Sequence, residues 1–160
     1  MGRKSVRENK SVYQLAREEN NLTREAAEDM LEYVSADRIE KIESGKVLAR
    51  PDEIMRMAEC YKKPELCNYY CSHECPIGEK YVPEIESKEL SQITLEMLAT
   101  LNNLDQEKNR LIEITVDGVI SEDEQRDFIQ IRSQLDDLAK TIDSLTLWVD
   151  KAINSGDMRE

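Results

Sequence analysis

A chain of 160 residues is long enough to bury a core as one domain, or as a small domain with an appendage, and too short for a large multi-domain enzyme. Charged residues reach 35%, aromatics only 5%, and glycine (5) and proline (4) are scarce, a balance that excludes most sandwiches and barrels and predicts an all-α fold. The net charge of −12 is unevenly placed: residues 1–60 carry 11 Lys/Arg against 13 Asp/Glu, whereas residues 84–160 carry 8 against 18, so the acidity opposes a nucleic-acid partner only where the C-terminal half lies near it.

Arg3, Lys4, Arg7 and Lys10 form a short basic arm at the start. From Ser11 to about Asn20, Val12, Leu15 and Ala16 share a face and predict a short amphipathic helix that Asn20-Asn21 breaks. Thr23 can cap a second helix, Arg24 to about Leu31, with Ala26, Ala27, Met30 and Leu31 as its buried stripe. Ser35 is a good N-cap for a third helix through Ile39 and Ile42, ended by Gly45. Pro51, followed by Asp52 and Glu53, opens a fourth carrying Ile54, Met57 and Ala58. Pro64 restarts the chain for a fifth with Leu66, Tyr69 and Tyr70, which Pro76 and Gly78 end, and Pro83 marks a linker.

A long helix is predicted from Ser87, with Leu90, Ile93, Met97, Leu101, Leu104, Leu111 and Ile114 spaced mostly by three or four, stopping near Asp117-Gly118. Ser121 and Glu124 form a capping box for a last helix in which Phe128, Ile131, Leu135, Leu138, Ile142, Leu145, Val149 and Ala152 alternate steps of three and four. Two such helices joined by a short turn predict a coiled-coil-like antiparallel hairpin, with Ile129, Leu147 and Trp148 left for a second interface.

The segments Leu22-Thr23-Arg24-Glu25-Ala26-Ala27 and Val34-Ser35-Ala36-Asp37-Arg38-Ile39-Glu40-Lys41-Ile42-Glu43-Ser44-Gly45-Lys46, followed by Pro51 and an apolar helix, resemble the phage repressor/Cro-like (XRE) helix-turn-helix regulators over residues 10–63. The resemblance implies a five-helix DNA-binding domain whose third helix enters the major groove, commonly as a homodimer on two half-sites. It places Ser35, Ala36, Asp37, Arg38 and Lys41 at the groove-facing part of that helix, with Arg38 as the bidentate reader of guanine, and gives Arg24, Lys41, Lys46 and the basic arm to phosphates. Two departures stand out. Glu32-Tyr33 occupies a turn where the family commonly has glycine, and Asp37 and Glu40 make the third helix acidic.

Cys60, Cys67, Cys71 and Cys75 are spaced C-x6-C-x3-C-x3-C-P, with His73 among them. This matches neither paired zinc knuckles nor the ferredoxin run. On an unbroken helix, positions i+4 and i+8 lie about 6 and 12 Å from the first. A shared zinc or iron–sulfur site therefore needs the helix to end near Ser72-His73, which Pro76 permits; plain burial as free thiols and a redox role stand beside it. Residues 113–124 share with a calcium loop the glycine at position 6 and the glutamate at 12, but Glu113 and Thr115 stand where short carboxylates should, so a hairpin turn is predicted.

No catalytic constellation or glycine-rich phosphate loop is recognisable, and no enzyme activity is expected. No apolar run of about 18 residues exists and Met1-Gly2-Arg3-Lys4 starts no signal peptide, which predicts a cytoplasmic protein without a membrane span. The expected organisation is a DNA-binding domain over 1–63, a cysteine-containing helix and linker over 64–83, and an acidic hairpin over 84–160 for homodimerisation or a protein partner. The predicted function is sequence-specific transcription regulation on double-stranded DNA; a protein-interaction module on the same fold and a metal- or redox-responsive sensor are the alternatives.

Overall fold

The computed structural model describes residues 10–158. Arg3, Lys4 and Arg7 of the basic arm lie outside the described residues. Among the described residues there are eight helices and no strand: α1 (Val12–Glu19), α2 (Arg24–Leu31), α3 (Ala36–Glu43), α4 (Pro51–Cys60), α5 (Glu65–His73), α6 (Gly78–Tyr81), α7 (Leu90–Thr115) and α8 (Gln125–Ser155). None of them is long and apolar enough to cross a membrane. The chain divides into two compact units, one running to Glu84 and completed by the segment from Asp150, the other Ile85–Val149.

The first unit is punctuated by its caps. Ser11, Thr23 and Ser35 each accept a backbone N–H from the first turn of the helix that follows, at 3.2, 3.2 and 3.3 Å. The exits of α1, α3 and α4 turn on Asn21, Gly45 and Lys62, all at positive φ. In each case the next two N–H groups return to the last turn, as in Lys62 to the Glu59 carbonyl (3.1 Å) and Lys63 to that of Ala58 (2.8 Å), which satisfies the orphaned carbonyls. Glu32 takes φ +65° at the end of α2, in the turn where the resemblance leads one to expect glycine.

These turns gather Tyr13, Leu31, Val34, Ile39, Ile42, Ile54, Met57, Tyr61 and Leu66 into one core. Leu15 and Met30, from the predicted apolar stripes, are instead exposed.

Beyond α5, the turn Pro76-Ile77-Gly78 folds the chain back and begins α6, which the sequence reading had only as a helix end. Gly78 is buried so tightly that a Cβ there would lie 1.9 Å from the Cys71 carbonyl oxygen. Asn68 of α5 donates to the Pro83 carbonyl at 2.9 Å, tying the returning strap along its length.

The second unit is an antiparallel helical hairpin. Its first helix starts at Leu90 rather than Ser87, after Glu89 in extended conformation. At the turn, Asp117 accepts the Val119 N–H (3.0 Å), and Glu124 accepts both the N–H (3.0 Å) and hydroxyl (2.7 Å) of Ser121. Only half of the predicted capping box forms: Glu124 takes the Ser121 N–H, but the Ser121 hydroxyl donates to Glu124 instead of accepting a first-turn N–H, the Glu124 N–H goes to the Ser121 carbonyl, and α8 begins later, at Gln125. Arg110 to Asp127 at 2.7 Å and Gln130 to Glu107 at 3.3 Å set the register.

Of the heptad positions on α8, Ile131 is buried and Leu138 and Leu145 are partly buried, whereas Leu135 and Ile142, which occupy the alternate positions of the same seam, are exposed. Thr141 and Ser144 take buried places where the heptad reading had none. Each satisfies its hydroxyl on a carbonyl four residues back.

Candidate nucleic-acid interface and cysteine cluster

The residues that the resemblance assigns to DNA lie on α2, α3 and the turn after α3, and each cationic one among them holds a carboxylate. Arg24 reaches Glu43 at 2.8 Å. Glu43 lies fully inside the unit, where Arg17 also grips it through two bonds of 2.6 and 3.0 Å. Arg24 is thus part of the clamp joining α1, α2 and the end of α3.

Arg38 is turned toward α4. Its guanidinium makes a two-bonded fork on Glu53, 2.8 Å on each side, and donates to the Leu48 carbonyl at 3.0 Å. Glu53 in turn accepts the Arg50 N–H at 2.8 Å, the reciprocal bond of a helix start. Burial by itself would raise the Glu53 carboxyl, but the Arg38 and Arg50 bonds overcome it and hold the group below the usual carboxylate range. The sequence reading gave Arg38 a base contact and missed Glu53. The available signal was Pro51 with an acid three residues after Arg50, a cap pattern that leaves one carboxylate edge for another donor.

On the outer face of α3 the acids are also matched. Lys41 holds Asp37 at 2.6 Å, and Lys46 holds Glu40 at 3.0 Å. Ser35 spends its hydroxyl on the helix start, and Ala36 sits beside it without charge. Arg50, which the sequence reading did not select, adds a cation exposed over 60% of its side chain and paired with Asp52 at 3.2 Å. Lys10, the described member of the basic arm, is bound to Glu18 at 2.6 Å.

The four cysteines are free thiols and partly buried. Among the described residues, no three Cys, His, Asp or Glu side chains converge to hold a metal ion. Cys60 donates to the Met30 carbonyl at 3.4 Å, and burial pushes its thiol up. Burial does the same to Cys67, with Cys71 as its nearest ionisable neighbour in effect. Cys67 borders a hollow of about 260 Å³ together with Met55, Ala58, Glu59, Asp150 and Ile153.

His73 stacks on Tyr69 with ring centres 4.4 Å apart, while Tyr69 meets Tyr13 edge-on at 6.0 Å. Its Nδ1 lies 2.9 Å from the Ser72 hydroxyl and its Nε2 3.6 Å from Glu84. The ring thus joins α5 to the core aromatics and to the end of the strap. No protein-family model, curated protein or solved structure matches this chain.

Proposed function

We propose that the chain is a sequence-specific DNA-binding regulator that sets α3 into the major groove, as its resemblance to the XRE helix-turn-helix regulators implies. The observation that carries the reading is the pairing on α3: Asp37 and Glu40, the two acids that would repel phosphate, are each held by a lysine. Exposed pairs of this kind are worth only about 0–1 kcal/mol, so Lys41 can reach a base edge and Lys46 a phosphate while each stays close enough to offset the acid beside it. The base-facing role passes from Arg38, whose fork is engaged by Glu53, to Ser35, Ala36, Asp37 and Lys41. Arg24 and Arg38 hold the frame that presents them.

Selection from random DNA duplexes, followed by sequencing, tests this. A motif should be enriched, and Lys41→Ala should relax it while leaving the fold intact. Lys46→Ala should weaken binding to all sequences alike and flatten the salt dependence. If nothing is enriched and weak binding vanishes at modest salt, the regulator reading fails.

One observation favours the second reading, an interaction module on the same fold. Arg38, the best base reader by residue type, is spent inside the unit, and Leu48 beside it is exposed over 72% of its surface. Protein capture that Leu48→Ser abolishes, with no enriched DNA, would select that reading.

A further inference from the structure

The hollow beside Cys67 is built from α4, the first turns of α5 and the segment that begins at Asp150, all within the first unit. Met55, Ala58, Pro64, Cys67 and Ile153 give it apolar walls. Met55, exposed over 61% of its surface, forms an open lip. Cys67 acts here as a small apolar residue, because burial pushes its thiol up and keeps it protonated at neutral pH.

The charged lining is of one sign. Glu59 and Asp150 supply two carboxylates and Asn154 a neutral amide, and among the described residues no lysine or arginine lines the space. The nearby lysines are directed elsewhere: Lys63 holds Glu19 at 2.6 Å, and Lys151 holds Glu65 at 3.0 Å. Arg56 touches Glu59 at 3.3 Å, an exposed pair that a competing cation displaces easily, and reaches Glu32 at 3.1 Å on its other side. Asp150 holds no cation among the described residues. After burial and Cys71, the charges of Glu59 and Asp150 also push the Cys67 thiol up, so both negative fields reach the apolar wall. Glu59 stands in the last turn of α4, where the helix dipole adds a further negative potential.

We propose that this hollow binds a small organic amine, with its apolar body against Met55, Cys67 and Ile153 and its ammonium group between Glu59 and Asp150. Size sets the body. An apolar cavity of about 150 Å³ accommodates benzene, so a hollow of about 260 Å³ suits one ring with a short chain to the nitrogen. Charge sets the head group. An anion would meet two like charges, and a neutral molecule would leave both carboxylates unmatched. Because Glu59 belongs to α4 and Asp150 opens the last segment, the bound ammonium fastens that segment to α4. The inference goes beyond the regulator reading and needs no DNA.

Calorimetric titration of the full chain at pH 7 with phenethylamine, phenethyl alcohol and phenylpropionate tests the proposal. The amine should bind saturably, the alcohol about tenfold more weakly, and the acid not at all. Asp150→Lys, at an exposed position, places the chain's own ammonium at the site and should abolish amine binding with unchanged helix content. Should that variant lose helix content, Asp150→Asn, which keeps the shape, should weaken the amine about tenfold, as should Glu59→Gln. Location is read separately. With the amine at about ten times its half-saturating concentration, labelling of Cys67 by a neutral maleimide should slow about tenfold, while Cys75, outside the lining, labels as before. Absence of saturable amine binding, equal binding of the alcohol, or amine binding that leaves Cys67 labelling unchanged overturns the proposal. So does amine binding indifferent to the changes at both Asp150 and Glu59.

Discussion

Arg17 and Glu43 face each other inside the first unit at 2.6 Å, with 6% and 1% of their side chains exposed. Removing one member of such a pair strands a buried charge. Glu43→Ala is expected to lower unfolding free energy by about 3–5 kcal/mol, and the double change Arg17→Met/Glu43→Leu to recover most of it. Urea denaturation reads both. A single variant within about 1 kcal/mol of the wild type would mean that the pair does not clamp α1 to α3.

Glu53 gives the first unit an acid sensitivity. Its carboxyl is depressed in the folded chain, so its stabilisation is present above the ordinary glutamate range and is lost as pH falls through the depressed value. Comparing urea midpoints of wild type and Glu53→Gln from pH 7 down to pH 3 should show a gap that closes with acid. A gap independent of pH would assign the effect to shape and not to ionisation.

At Gly78 the constraint is steric. Gly78→Ala would drive a methyl group into the Cys71 carbonyl, so α6 should separate from α5. Amide exchange over residues 78–84 should accelerate sharply while the core about Met57 stays protected. Unchanged exchange there would contradict the close packing of the strap.

Glu32 occupies a backbone region that side chains rarely adopt, at φ +65° and ψ −54°. Glu32→Gly removes strain of about 1–3 kcal/mol and adds about 0.5–1 kcal/mol of unfolded-chain entropy, so a modest rise in melting temperature is expected. The exposed Arg56 pair lost with it is worth little. A fall in melting temperature would show that this pair outweighs the turn.

Cys60 and Cys67, whose thiols burial pushes up, should alkylate slowly at pH 8 in the native protein and at ordinary rates in urea. Mass-resolved labelling separates the sites. Fast native labelling at Cys67 would contradict its place against the core.

Where local chemistry decides the structure, the sequence was a good guide. Thr23 and Ser35 each begin a helix because a short hydroxyl can meet a first-turn N–H, whereas Ser121 gives its hydroxyl to Glu124 and the last helix begins at Gln125. What escaped it depended on residues distant in the chain. Arg38 has a donor fork suited equally to guanine and to a carboxylate, and only the fold brings Glu53 within 2.8 Å of it. The seam of α8 had the right period, but period cannot say which alternate positions one neighbour covers. Glycine commonly ends helices, and the sequence alone predicts that role for Gly78, whereas the fold requires it there because of the approach of the Cys71 carbonyl.

Lys151, from the segment that completes the first unit, pairs with Glu65 at the start of α5 at 3.0 Å. Closing so long a stretch of chain costs roughly 4 kcal/mol of entropy, far more than an ion pair of this exposure returns. During synthesis the early helices emerge long before this segment, so Cys67 and the hollow beside it stay open to the surroundings in the nascent chain and are covered only once Asp150 and Ile153 arrive. A fragment cut at the inviting Pro83 boundary would retain that immature surface permanently.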